Sequence, residues 1–307
     1  MSHEFETGFF TKTPAWHGFG VVLENAPIPA DAIVMAGLDW KVALHDVQTA
    51  DVLELPVDMA KAVVRQSDKR VLGCVGNGYV PLQNSEAFEW ITPLCEEGLI
   101  TLEAAGSLRN GQRVWLLGKV VGAEDEARPG DVVKQHVLLA HGHDGTLAVR
   151  SGFTATRVVC QNTLSMAIHG ERNDLMRIKH SMRMRDGLDR ARNIIQSRIN
   201  DFHEAMGIAR KLTKIDVDAD MLVGYINRVF EPDSQEALER RVGQILPLFE
   251  GGAGNGQGSA WDLFNGVTEF LTHVRGRSAD TRLDSLWFGA ASNTNALAWQ
   301  EAMKLAA

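Results

Sequence analysis

The chain has 307 residues, of which 45% are hydrophobic and 23% charged, and a formal net charge of −8 at pH 7. That length holds one large domain or two moderate ones, the composition excludes a largely disordered chain, and the acidic balance excludes a surface coated in cation for indiscriminate nucleic-acid binding. Three cysteines, Cys74, Cys95 and Cys160, lie far apart with no Cys-x-x-Cys pair, which excludes a zinc finger or disulfide framework and suits small buried thiols in a reducing cytoplasm.

No apolar stretch is long enough to span a bilayer, and the N-terminus carries no secretory pattern, so the expected location is cytoplasmic, without a membrane partner. Residues 1–50 read as irregular and then extended. Trp16-His-Gly-Phe-Gly20 is a glycine-punctuated turn, a short helix follows Pro27-Ile-Pro29, and residues 40–45 form a strand. Residues 68–165 are mostly β. A strand at 71–75 ends at the turn Gly76-Asn-Gly78, and a helix with polar capping residues begins at Asn84. Strands at 99–107 and 112–121 are joined through Asn110-Gly111, a hairpin signal. Strands at 132–141 and 146–153 make a second hairpin around residues 142–145, and residues 156–160 continue the sheet before Asn162 opens a helix.

From about residue 180 the period becomes helical. Leu188, Ala191, Ile195, Ile199, Phe202, Met206 and Ala209 recur at spacings of 3 or 4 and define one apolar stripe. Further helices are read at 219–230, 235–249, from Trp261 onward, and at 293–305. The fold class is α+β: a mainly antiparallel sheet with helices in the N-terminal half and a mainly helical C-terminal half. The division near residue 180 gives an α+β domain at 1–180 and a helical region at 181–307, the latter carrying the glycine-rich loop 251–258.

Four features bear on chemistry. The loop Gly251-Gly-Ala-Gly-Asn-Gly-Gln-Gly258 leads into a helix, where backbone N–H groups can cradle a phosphate. It lacks the terminal Gly-Lys-Ser/Thr of a P-loop and no strand precedes it, so it reads as a flexible connector with Ser259 as the helix cap. His141, His143 and Asp144 form a candidate metal cluster, but Gly142 and Gly145 place them in a turn, and the alternative is a polar hairpin loop. Cys160 follows an apolar strand, where a thiol is more often buried and inert than catalytic. Trp261, Trp287 and Trp299 sit among apolar residues and read as core.

The fourth feature is a basic segment. Residues 176–185 contain Arg177, Lys179, His180, Arg183 and Arg185 and no acid, and residues 171–214 hold eleven Lys/Arg against six Asp/Glu. Arg177, Lys179, Arg183, Arg185 and Arg190 are candidate phosphate contacts, with Arg157 joining from the adjacent strand. The competing reading is a solvated charged helix, in which Asp186 and Arg190 pair at i, i+4. A last basic group, His273, Arg275, Arg277 and Arg282, follows a helix, where Asp280 and Asp284 are available to pair with it.

Several stretches together resemble the phage/plasmid-like proteins grouped as "domain of unknown function 932". They include Ala15-Trp-His-Gly-Phe-Gly20, Leu72-Gly-Cys-Val-Gly-Asn-Gly-Tyr-Val-Pro-Leu-Gln-Asn84 and Thr156-Arg-Val-Val-Cys-Gln-Asn-Thr-Leu164. Ser259-Ala-Trp-Asp-Leu-Phe-Asn-Gly-Val-Thr-Glu269 and Arg275-Gly-Arg-Ser-Ala-Asp-Thr-Arg-Leu-Asp-Ser285 complete the set. The resemblance implies origin on a mobile element in a bacterial host. It carries over no activity, cofactor or catalytic residue.

Three functions follow as expectations. The first is a non-enzymatic protein, oligomeric in action, that binds single-stranded DNA in recombination or annealing. The second is a host-interaction protein that works by binding another protein in counter-defence. The third is a metal-assisted hydrolase of nucleic acid or nucleotide built on His141, His143 and Asp144.

Overall fold

The computed structural model describes residues 5–12, 20–50, 54–147, 149–158, 162–164, 166, 184–276, 285–287 and 289–307, with side chains at 162–164 and 184–192 outside the described set. In chain order the elements are β1 (Phe5–Thr11), β2 (Val21–Leu23), α1 (Pro29–Met35), β3 (Val42–Gln48), β4 (Pro56–Arg65), β5 (Val71–Gly76), α2 (Asn84–Glu96) and β6 (Ile100–Leu108). They continue with β7 (Arg113–Glu126), β8 (Val132–Gly142), β9 (Arg150–Arg157), β10 (Asn162–Leu164), α3 (Met184–Leu212), α4 (Ala219–Phe230), α5 (Gln235–Gly251), α6 (Ala260–Glu269) and α7 (Ala290–Leu305). A π-helical turn, Phe270–Val274, continues α6.

The fold is α+β. A seven-stranded sheet has the order β10-β9-β8-β7-β6-β1-β2, and a three-stranded sheet has the order β3-β4-β5. Every pairing is antiparallel except β1 with β2. In the large sheet β6 to β9 form a meander. Successive side chains alternate between its two faces, so Trp115 points opposite to Val114 and Leu116, and its ring meets Phe10 and Trp287 on that side. The other face carries His141, which meets α2 through Asn84.

One continuous apolar core runs from Phe9 through Trp115, Phe202 and Trp261 to Ala302. The stripe read on α3 supplies part of it: Ile195, Phe202, Met206 and Ala209 are buried. Helix α6 lies deepest, with every residue from Ala260 to Thr268 buried. It is apolar around much of its circumference because α5, α7, α3 and β10 all pack against it. Trp261, Trp287 and Trp299 are core residues, at 0%, 5% and 0% exposure.

The small sheet has its own cluster, Val42, Val63, Leu72 and Val75. Strand β5 passes so close to the loop after β8 that a Cβ on Gly73 would lie 2.5 Å from the Asp144 Cα. Only glycine allows that approach, and it fixes the small sheet against the end of β8.

Several local readings need correction. Asn162 opens a short strand rather than a helix. Cys74 is exposed and Cys95 half-buried, both free, so neither is a fully buried thiol. Helix α2 is capped by Gln83 through a capping box with Glu86, while Asn84 turns its side chain inward. Strands β1 and β4 are found where the sequence pattern gives no strand signal. Cys160 lies outside the described residues.

Candidate functional site

Two buried polar clusters take up most of the residues singled out by the sequence. The first lies where the two sheets meet. His141, near the end of β8, and His143, two residues on, are 1% and 0% exposed. Both direct Nε2 at one acceptor, Asn84 Oδ1, at 3.1 Å and 3.0 Å. The Asn84 amide cannot be reversed, because its Nδ2 donates to the carbonyls of Leu38 and Trp40. Both histidines are therefore neutral Nε2–H tautomers. Burial, and for His141 the neighbouring His143, drives the His141 pKa well below the ordinary value. Burial lowers His143 to about 4, against the opposing pull of Asp144.

The Trp40 ring packs on His143 with centroids 5.3 Å apart, and Tyr79 donates its hydroxyl to the Gly142 carbonyl. Asp144 accepts from the Thr146 backbone N–H and hydroxyl as the turn residue of its own loop. His141, His143 and Asp144 are thus two interior hydrogen-bond donors and a turn. Among the described residues no group of three His, Cys, Asp or Glu is arranged to hold a metal ion.

The second cluster joins sheet to helices. Arg157, at the end of β9, is 0% exposed. Its Nε and Nη2 bind the two carboxylate oxygens of Asp131 at 2.6 Å each, a bidentate fork. The same guanidinium donates to the carbonyls of Ala253 and Gly254 and to Asn255 Oδ1, and stands 5.9 Å above the Trp261 ring. Trp261 Nε1 donates to Asp131 at 2.9 Å. Alongside, Arg128 binds Asp262 at 2.6 Å and reaches the Gly254 carbonyl.

The glycine loop is therefore fastened to the sheet through its carbonyls, although most of its residues stay exposed. Gly254, Gly256 and Gly258 adopt positive φ values of 73°, 116° and 71°, which turn the chain around the two arginines. The loop offers them carbonyl oxygens, the wrong polarity for a phosphate cradle. Its N–H groups near α6 are taken as well, since Gln257 and Ser259 donate to Asp262. Ser259 caps α6 as the sequence indicates, in a reciprocal box with Asp262.

Arg157 consequently cannot serve as a surface phosphate contact, because its guanidinium is buried and bound bidentately by a carboxylate of the same chain. Of the other proposed contacts, Arg177, Lys179 and Arg183 lie outside the described residues. Arg185 and Arg190 fall on the first turns of α3, with side chains outside the described set. The segment carrying them connects β10, the edge strand of the large sheet, to α3.

Sequence reasoning missed Asn84, Asp131, Asp262 and Arg128. Of these only Asp262 had a readable signal, as the acid three residues after a helix-capping serine. Asp131 lies 26 residues from Arg157 and Asn84 57 residues from His141, so nothing local marks either partner.

No curated protein and no solved structure matches this chain. The family described as Domain of unknown function (DUF932) matches residues 71–287, a span that takes in both polar clusters, the glycine loop and the basic segment. The chain belongs to that family.

Proposed function

We propose that the chain binds single-stranded DNA without catalysing a reaction on it, through the cations of residues 177–190, in the cytoplasm of a bacterial host as the product of a mobile element. The observation behind this reading is the ten-residue run 176–185, with four Lys/Arg, one His and no acid in a chain of net charge −8. Four arginines elsewhere are matched internally: Arg157 by Asp131, Arg128 by Asp262, Arg65 by Glu6 and Asp68, and Arg210, on α3, by Asp125. A run without local acid is the part of the chain best suited to replace the counterions of a phosphate backbone.

Salt dependence tests it. With Arg157 removed from the set, five contacts remain, and a single strand should give a log–log slope of about −3.5. Replacing Arg183 and Arg185 together by alanine should flatten that slope by about 1.4. The measurement is fluorescence anisotropy with labelled oligothymidylate between low and physiological salt. No retention at low salt, or an unchanged slope in the double variant, would sink the proposal. A second reading, binding of another protein, is supported by exposed apolar side chains on edge strand β2 (Val21, Val22) and on α1 (Val34, Met35). Its mark is a stoichiometric protein partner recovered with the chain, and no bound oligonucleotide.

A further inference from the structure

The small sheet is one contiguous stretch of chain, and both of its ends pass the paired histidines. Strands β3, β4 and β5 follow one another between Val42 and Gly76 and share an apolar cluster of their own. Trp40, just before β3, packs against both that cluster and the main core. The seam around it is polar. The Gln83 side chain exchanges two hydrogen bonds with the Val42 backbone, at 3.1 Å each. Asn84 holds the Leu38 and Trp40 carbonyls through Nδ2 and both imidazoles through Oδ1. Tyr79 reaches the Gly142 carbonyl, and Arg65 on β4 reaches Glu6 on β1 at 2.8 Å. A contiguous unit with its own cluster, fastened by directional polar bonds, can open while the rest of the fold stays closed.

Protons act on that seam in one direction. The two imidazoles stand edge to face with centroids 5.0 Å apart, and the Asn84 carbonyl already receives both Nε2–H groups. Each Nδ1 is buried and has no hydrogen-bond partner. A proton added there becomes a buried donor without an acceptor, and a second one sets like charges side by side. The surrounding charges do not offset this. Asp144 draws His143 toward its charged form, and burial outweighs it. Arg65 lies over the Trp40 ring that packs on His143, and Glu6 and Asp68 hold its charge. Glu86 accepts from the Gln83 backbone N–H, Arg113 donates to Thr146, and burial, then Asp144, raises Tyr79, which stays neutral. In an opened seam water solvates both forms of each imidazole, so acid favours opening.

We infer that the junction of the two sheets is an acid-sensitive hinge: protonation of His141 and His143 releases β3–β5 as a unit while the large sheet and the helices stay folded. The hinge is separate from residues 177–190 and operates whether or not the chain binds DNA.

Native-state hydrogen exchange of the full chain at low urea tests it. At pH 7.5 the amides of β3–β5 should share one opening, with a weaker urea dependence than the amides of α6, because less surface is exposed. Between pH 7.5 and 5 that opening should become about thirtyfold more frequent through His143 alone, which titrates near about 6.5 in the open seam and about 4 in the closed one. His143→Gln, which keeps a donor toward Asn84, should remove that factor and leave the urea dependence of the opening as it is in the parent. If the variant does not fold, exchange in the parent decides the matter. The inference is overturned if the β3–β5 amides show the same urea dependence as α6, since they then exchange only by global unfolding. It is equally overturned if their opening is no more frequent at pH 5 than at 7.5, or if folded His143→Gln retains the full pH response of the parent.

Discussion

At the scale of single residues, the paired histidines carry the clearest consequence. His141 and His143 are neutral in the fold and titrate near 6.5 when the chain is unfolded. Their folded pKa values are depressed, so below pH 6.5 the unfolded chain binds more protons and stability falls with pH. The loss begins near 6.5 and continues down to about 4 for His143, at up to about 1.4 kcal/mol per pH unit for each histidine. Urea midpoints should therefore drop between pH 7.5 and 5, above the range in which ordinary carboxylates titrate. His143→Gln, which keeps a donor toward Asn84, should reduce that slope by about half. A flat midpoint across this range in the parent protein would contradict the tautomers assigned here. The sequence showed the two histidines close together but not the single amide that binds both. A polar loop bounded by two glycines reads as surface, and only Asn84, from a distant helix, brings the imidazoles inside.

At the scale of elements, legibility followed the strength of the local pattern. The stripe along α3 and the periodic segments of α4 to α7 were readable because their apolar spacing is set by helix geometry. The meander β6 to β9 was readable from its alternation and its turn residues. Strand β1 hides behind Gly8 in its middle, and β4 contains Pro56, Asp58 and Lys61 and is exposed over its first half. Strand β1 owes its state to β6, nearly a hundred residues on, whereas β4 is held as the central strand between its sequence neighbours β3 and β5. The glycine loop was readable as a loop but not as an ordered one, since its shape depends on two arginines from the sheet. That dependence is measurable. Arg157→Met should cost about 3 kcal/mol by urea unfolding, the lower end of the range for breaking a buried pair. The lower end applies because Asp131 keeps Trp261 Nε1 at 2.9 Å and Arg128 at 3.3 Å. A loss below about 1 kcal/mol, the size of a surface pair, would show that the cluster is not the fastening it resembles.

At the scale of the whole molecule, the division read near residue 180 marks a change of secondary structure, and the apolar core continues across it from Phe9 to Ala302. Arg157 and Asp131 come from one side of that point; Ala253, Gly254, Asn255 and Trp261 come from the other. A gene cut between β10 and α3 would thus give two products, each with an incomplete set of charges and an uncovered apolar face. Made singly, both should accumulate as insoluble material; made from two cistrons in one cell, they should be recovered as a stoichiometric, soluble heterodimer. Arg157→Met in the first product should weaken that rescue, because the cation that gathers the glycine loop onto the sheet would be missing, leaving Arg128 with Asp262 and Asp125 with Arg210 to draw two separate polypeptides into register.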